Sequence, residues 1–388
     1  MTSDLFDPFD PVVIENPYPF YAALRADCPV VHNAEHDIWA LSRHADVHAA
    51  LRDVKQFSSV QGVGSEYRPV PMMIACDPPD HTRLRRIVQR DFTPSAITSW
   101  EPRIRSLVDQ LLDAAIERGA GDWSATVAMP LPVWVICEML GLPHEDREQL
   151  TVWSDDTLTA LGGRLDAETS VRVESQVIAF AEYLDAQIEQ RRRVPADDLI
   201  TRLLRPFKGE LLSPYELVSF VMLLLVAGNE TTTNLMNNFV QSMIEHPAQW
   251  ERLKAAPQYL SNAIEESLRY ESPIQGFFRT TTCDVTVHET TIPEGAKVML
   301  LFGSANRDER AFVDADRFDV RREIGNHLAF GSGIHLCLGA PIARLEMQVL
   351  VRAMLDRLNR FEPAGPIVRT SNPLLRGAAE LPVQVIPA

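Results

Sequence analysis

Cysteine is scarce in this sequence. There are five in 388 residues, at positions 28, 76, 137, 283 and 337, and no Cys-x-x-Cys occurs. The odd count and wide spacing argue against a disulfide framework and a four-cysteine zinc site, and fit a reducing, cytoplasmic setting. Positive charge is also in deficit. Lys plus Arg number 37 against 53 Asp plus Glu, a net charge of −16. Such an acidic balance argues against nucleic acid and against an anionic membrane surface as partners. Long apolar runs are missing too. The best unbroken one, Phe220–Gly228, is half of a membrane span and reads as buried helix. Residues 1–7 have neither a basic n-region nor an apolar h-region, so no signal peptide is expected. No repeat, low-complexity tract or Gly/Ser linker marks a boundary, so one domain over residues 1–388 is expected. A domain of that size can enclose a large cofactor.

What is present is mostly helix-forming pattern. Hydrophobic residues make up 46% and charged residues 23%, ordinary for a globular protein. Helices are expected at about 18–26, 78–90, 95–118, 130–141, 145–160, 170–193, 213–245, 247–254, 258–271 and 340–358. Short strands are expected near 29–33, 38–42, 273–300 and in the tail. Ser213-Pro214 reads as an N-cap followed by a first-turn proline. The helix it starts is long and apolar nearly all round in its middle, so it should cross the interior. Residues 57–71 form a long loop of the kind that often carries function.

The most informative segment is Phe330-Gly331-Ser332-Gly333-Ile334-His335-Leu336-Cys337-Leu338-Gly339. Its glycines permit a tight loop whose amides point at the Cys337 sulfur. The helix that follows puts its positive end beside the sulfur and favours thiolate. A thiolate held by backbone donors suits haem iron.

This segment resembles the cysteine-ligand loop of the cytochromes P450, and the resemblance extends over essentially the whole chain. It implies a mainly α fold with small β-sheets. Haem b (iron protoporphyrin IX) would lie between the long central helix and the cysteine loop with the final helix, with Cys337 as axial ligand of the iron. Phe330, Gly331 and Gly339 on one side, and Ala227 and Gly228 on the other, are implied neighbours of the haem.

Four further segments carry the same resemblance. Ala227-Gly228-Asn229-Glu230-Thr231-Thr232 places costly groups inside the apolar helix. The Thr231 hydroxyl can bond the Ala227 carbonyl and loosen the helix. The family's acid–alcohol pair, which delivers protons for oxygen chemistry, maps onto Glu230 and Thr231. In Glu266-Ser267-Leu268-Arg269 the i, i+3 spacing puts acid and guanidinium on one face. The family makes this a buried structural pair joined by a later group, for which Arg322 fits best and Arg321 is the alternative. In Asp77–Arg86, His81 and Arg85 share a helix face and match donors to a haem propionate. Arg279 and His335 match two more. Finally, Thr280–Gly295 and the tail at Arg376-Gly377 and Leu381-Pro382-Val383 match the family's strand regions.

The implied substrate pocket is formed by the 61–76 loop with Ile74, by Leu223, Val226 and Ala227, by Ile274–Phe277, and by Leu374 and Leu375. Helices in 146–185 would form its lid. Phe57–Gly64, Arg68-Pro69 and Glu271–Thr282 are similar to P450s that oxidise para-substituted benzoates, in which polar and basic groups hold the carboxylate. Arg68 matches the loop arginine, but Met222 and Leu223 occupy the matching helix positions. A neutral aromatic or terpenoid-like ligand is therefore expected, with a benzoate-type acid as the alternative.

The implied reaction is monooxygenation: one oxygen atom from O2 enters a small or medium apolar substrate by hydroxylation or O-dealkylation. No flavin or iron–sulfur segment is recognisable, so a ferredoxin and an NAD(P)H-dependent ferredoxin reductase are the expected electron donors. Arg83, Arg86, Arg90 and Arg344 are candidates for the docking face. A monomer without membrane or nucleic-acid partners is expected. A peroxygenase and a non-catalytic haem-thiolate binder remain as alternatives on the same fold.

Overall fold

The computed structural model describes residues 6–66, 72–163 and 165–388. Arg68 lies outside them. Eight helices position the site: α1 (Asp80–Val88), α2 (Glu101–Arg118), α3 (Pro130–Leu140), α4 (Arg147–Gly162), α5 (Ala167–Arg193), α6 (Pro214–Glu245), α7 (Leu260–Tyr270) and α8 (Ala340–Arg357). A five-stranded sheet lies to one side, in the order β1 (Val30–Asn33), β2 (Ile38–Leu41), β5 (Lys297–Leu301), β4 (Gly276–Thr281), β3 (Phe57–Ser58). Its β2–β5 pair is parallel and the other pairs are antiparallel. Helix predominates and the sheets are small, as the sequence pattern implied.

The 32-residue α6 is the axis of the molecule. It starts at a capping box. The Ser213 hydroxyl accepts from the Glu216 amide at 3.3 Å, and the Glu216 carboxylate accepts from the Ser213 amide at 2.8 Å. Pro214 at the first turn needs no amide partner. The apolar stretch after it packs on α3, α4, α5 and α7. Farther along, amides replace apolar residues yet stay buried. Asn238 donates to the carbonyls of Glu271 (3.0 Å) and Arg376 (2.9 Å), and Asn237 donates to that of Ala378 (3.0 Å). These bonds tie α6 to the C-terminal segment that supplies Leu374 and Leu375.

The expected helix over 95–118 is two helices, Pro94–Thr98 and Glu101–Arg118. Pro102 sits in the first turn of the second, where its missing amide costs nothing; farther inside one continuous helix it would break the ladder. Four further helices, Pro11–Glu15, His44–Arg52, Leu199–Leu203 and Phe302–Ala305, were not legible in the pattern. Short helices give too few turns for a periodicity to emerge.

Candidate active site

Cys337 and Thr231, 106 positions apart, line the same cavity. Its volume is about 390 Å3, within the range of cofactor and small-molecule sites. Ala227 and Gly228 on α6 and Phe330, Gly331 and Gly339 of the cysteine loop line it as well. From α6 come Leu223 and Val226, from the sheet side Ile274 and Phe277, from the loop before α1 Ile74. Leu374 and Leu375 are brought in by pairing across the chain: Ile274 and Leu375 form an antiparallel bridge, and the Gln275 amide donates to the Leu374 carbonyl at 2.7 Å.

The cysteine loop is closed by the Cys337 amide, which donates to the Phe330 carbonyl at 2.9 Å. Gly331 and Gly333 have φ of 70° and 69°, a left-handed backbone that favours glycine. Gly333 is doubly constrained, because a Cβ there would stand 2.7 Å from the Leu51 carbonyl oxygen. Burial pushes the Cys337 thiol up; the amides of Gly339 and Ala340, at the start of α8, and the Arg85 guanidinium pull it down. Those amides are the orphan donors of a helix N-terminus.

Four basic side chains gather along the cavity: His81 and Arg85 from α1, Arg279 from β4, and His335 from the cysteine loop. The His81 and His335 rings are 4.4 Å apart. Burial, then the charges of Arg279, His81 and Arg85, drive His335 down to about 3. Burial takes Arg279 down to about 10. Among the described residues His81 Nε2 is buried without a partner, and Arg85 forms no ion pair with a carboxylate. An anion between them would pair the Arg85 and Arg279 charges and accept from the His81 and His335 ring N–H groups.

Thr231 donates its hydroxyl to the Ala227 carbonyl at 2.8 Å, the bond its spacing implied. The helix runs on unbroken through this point rather than opening. Glu230 does not line the central cavity. It lines a separate cleft with Asp155 of α4. Burial, then the Asp155 charge, raises Glu230 to about 7, against a hydrogen bond with Asn234.

Glu266 and Arg269 are both fully buried and form a bidentate pair at 2.7 and 2.9 Å. Arg322 Nε donates to Glu266 at 3.1 Å, while Arg321 turns to Asp319. Arg269 also donates to the carbonyls of Asn306 (2.8 Å) and Ala315 (2.7 Å), fastening the coil before the cysteine loop. The four arginines read as a docking face do not present free charge. Arg83 pairs with Glu216 and Arg86 with Glu210; Arg90 pairs with Asp91 at 3.3 Å, and Arg344 with Glu265 at 2.6 Å.

An acidic lining residue of the final helix escaped the sequence reading. Glu346 on α8 is buried in the cavity wall with Oε2 unpartnered, and burial holds its carboxyl well above the usual range. Its signal was a single acid on the apolar stripe Ala343, Met347, Leu350.

The cytochrome P450 family model matches residues 168–377. Vitamin D(3) 25-hydroxylase of Pseudonocardia autotrophica is 39% identical over 404 residues, covering 98% of this chain and 96% of that protein. The chain belongs to the cytochrome P450 family. Among solved structures, cytochrome P450 CYP109Q5 from Chondromyces apiculatus matches with a TM-score of 0.89 and 36% identity, over 99% of this chain and 98% of that one. CYP109E1 from Bacillus megaterium, in complex with testosterone, matches with a TM-score of 0.88 and 34% identity, over 95% and 97%.

As a cytochrome P450 the protein is a monooxygenase that binds haem b. The residues present fit that group. A sulfur flanked by helix-start amides stands on one wall, glycine and alanine line the α6 wall, and four basic side chains stand where propionates would need partners, none of them ion-paired to a carboxylate among the described residues. No helix among the described residues is long and apolar enough to cross a membrane.

Proposed function

We infer that this P450 acts on a neutral, apolar small or medium substrate, hydroxylating or O-dealkylating it. Electrons come from a ferredoxin and its NAD(P)H-dependent reductase, in the cytoplasm, with residues 1–388 acting as one monomeric domain. The observation that carries the substrate class is the character of the cavity. Its ionisable lining among the described residues consists of the four basic groups, Cys337, Glu66 and Glu346. The α6 wall offers Met222, Leu223 and Val226 to the ligand and no cation. A carboxylate would there lose its hydration without a partner, whereas an apolar ligand is held by shape. The solved relative in complex with testosterone and the relative named as a vitamin D(3) hydroxylase fit the same class.

In this reading Cys337 would ligate the haem iron through its thiolate. His81, Arg85, Arg279 and His335 would hold the haem propionates, and Ala227, Gly228, Phe330, Gly331 and Gly339 would line the space the haem fills. Bound haem supplies the iron at which O2 is reduced and cleaved. Thr231 and Glu230 supply protons from the α6 side. Glu266, Arg269 and Arg322 hold the coil that carries the cysteine loop. Ile74, Leu223, Val226, Ala227, Ile274, Phe277, Leu374 and Leu375 shape the substrate space.

The test is an optical titration of the ferric protein with testosterone, with para-methoxybenzoate and with the neutral methyl analogue of that acid. Displacement of water from the iron moves the Soret band from its low-spin to its high-spin position. A shift with the neutral compounds and none with the acid is expected. A shift with the acid alone overturns the neutral-substrate reading and points to Arg68. A purified protein without a Soret band overturns the haem assignment.

A further inference from the structure

Glu230 and Thr231 are neighbours in α6, yet they open into different spaces. Thr231 lines the central cavity. Glu230 lines a cleft of about 600 Å3 bounded by α4 and by the 369–373 segment. The partition between the two is thin: Leu158 and Asn372 line both, joined by a hydrogen bond of 3.1 Å from Asn372 Nδ2 to the Leu158 carbonyl.

The cleft is polar in a way that packing alone does not explain. Asn229 Oδ1, Thr233 Oγ1 and Thr370 Oγ1 are buried atoms without a partner among the described residues, and all three residues line it. A buried polar atom left unpaired is costly. Three that converge on one space are the partners an ordered water cluster needs. Asp155 reaches solvent at the mouth of the same cleft, with its carboxyl partly enclosed by protein. The carboxyls of Asp155 and Glu230 are both raised, to about 6 and about 7, mainly by burial; Asp156 adds to the first shift and Asp155 to the second. The other charged lining group among the described residues is Arg369, which lies near Glu15. Asp156 pairs with Arg172 of α5.

We propose that this cleft is the proton entry of the enzyme, with Asp155 as the outer acid that reloads Glu230 through water. The inference rests on the monooxygenase reading above. Each step moves one proton and no electron. Solvent protonates the Asp155 carboxylate. Asp155 passes that proton through water to the Glu230 carboxylate. Glu230 then passes it, again through water, to the Thr231 hydroxyl as that hydroxyl releases its own proton into the cavity. Each turnover consumes two protons and two electrons; the electrons come from the redox partner, and both carboxyls end as they began. Asp155 acts through Glu230 and is a positioning residue.

The experiment uses the haem-loaded protein and its Asp155→Asn, Asp155→Glu and Glu230→Gln variants. The first readout is an infrared pH titration of the carboxyl groups in the ferric state, which needs no turnover. Asp155→Asn should remove the raised titration at about 6 and move that of Glu230 to lower pH, because the neighbouring charge is gone. The second readout is NADH oxidation and peroxide release with a surrogate ferredoxin and reductase. Glu230 donates only when protonated, so the proton-limited rate falls as pH rises through about 7. In Asp155→Asn that fall should come at lower pH, the rate at neutral pH should drop several-fold, and the solvent deuterium effect should grow. Asp155→Glu should restore all three.

If Asp155→Asn leaves both the Glu230 titration and the pH profile in place, the proton entry is overturned and the monooxygenase reading stands. An effect of Glu230→Gln without one of Asp155→Asn has the same meaning. A reduced protein without the carbon monoxide band of a thiolate-ligated haem overturns the monooxygenase reading itself.

Discussion

Arg279 illustrates how much one residue's surroundings decide. It is buried on β4 and donates to the Phe278 carbonyl at 2.8 Å, and burial lowers its pKa to about 10. With His335, His81 and Arg85 along the same cavity, its charge needs an anion. A charge-assisted hydrogen bond contributes about 1.5–3 kcal/mol. Arg279→Gln should therefore weaken haem binding about 10- to 100-fold, and haem dimethyl ester should bind the unaltered protein more weakly than haem does. Competition against an apo-globin acceptor measures both. Equal affinity for haem and its ester would remove the propionate assignment.

At the scale of elements, the long-range joints matter more than the helices they join. Glu266 and Arg269 sit one turn apart in α7, but their work is to hold the coil over residues 306–322. Both are fully buried, so removing one leaves an uncompensated charge in the interior. Arg269→Ala should cost about 3–5 kcal/mol. Urea unfolding of the purified protein, or loss of haem-loaded protein where the variant does not accumulate, reports it. A variant with an unchanged midpoint would contradict the structural role. The Ser213 cap on α6 is a weaker joint, since N-caps contribute about 1 kcal/mol.

For the molecule as a whole, acid should be the weak side. Glu265 bridges α7 to α8 through Arg344 and reaches His327 at 2.8 Å. Burial alone would raise its carboxyl; the hydrogen bonds from Arg344 and His327 bring it down to about 2, against 4.5 for the free group. Its folded value lies below the unfolded one. Its contribution is therefore complete above pH 4.5 and is lost as pH falls toward 2. The size is on the order of 2–3 kcal/mol. Glu265→Gln should lower stability at neutral pH and flatten the acid limb of the stability curve between those values. An acid limb of the same slope would show that other carboxylates set it. The same pair neutralises Arg344, and the pairings of Arg83, Arg86 and Arg90 do likewise. A redox partner at this face meets paired charges, not a bare basic patch.

Features within one turn or one loop were legible in the amino-acid order. The Ser213-Pro214 cap, the Thr231 to Ala227 bond, the shared faces of Glu266 with Arg269 and of His81 with Arg85, and the glycines before Cys337 all follow from local backbone geometry. The family, the haem and the mainly α fold were legible through the same short segments. Arg322 as the partner of Glu266 was favoured through the resemblance, and the tertiary structure decided it over Arg321. Tertiary structure alone decided other meetings across long stretches of chain: Leu375 on Ile274, and the docking arginines on their carboxylates. It also set Glu230 and Thr231 on opposite sides of one helix wall. Adjacent positions on α6 lie about 100° apart. What each then faces is set by α4 and the 369–373 segment packed against α6, and nothing within α6 specifies those neighbours.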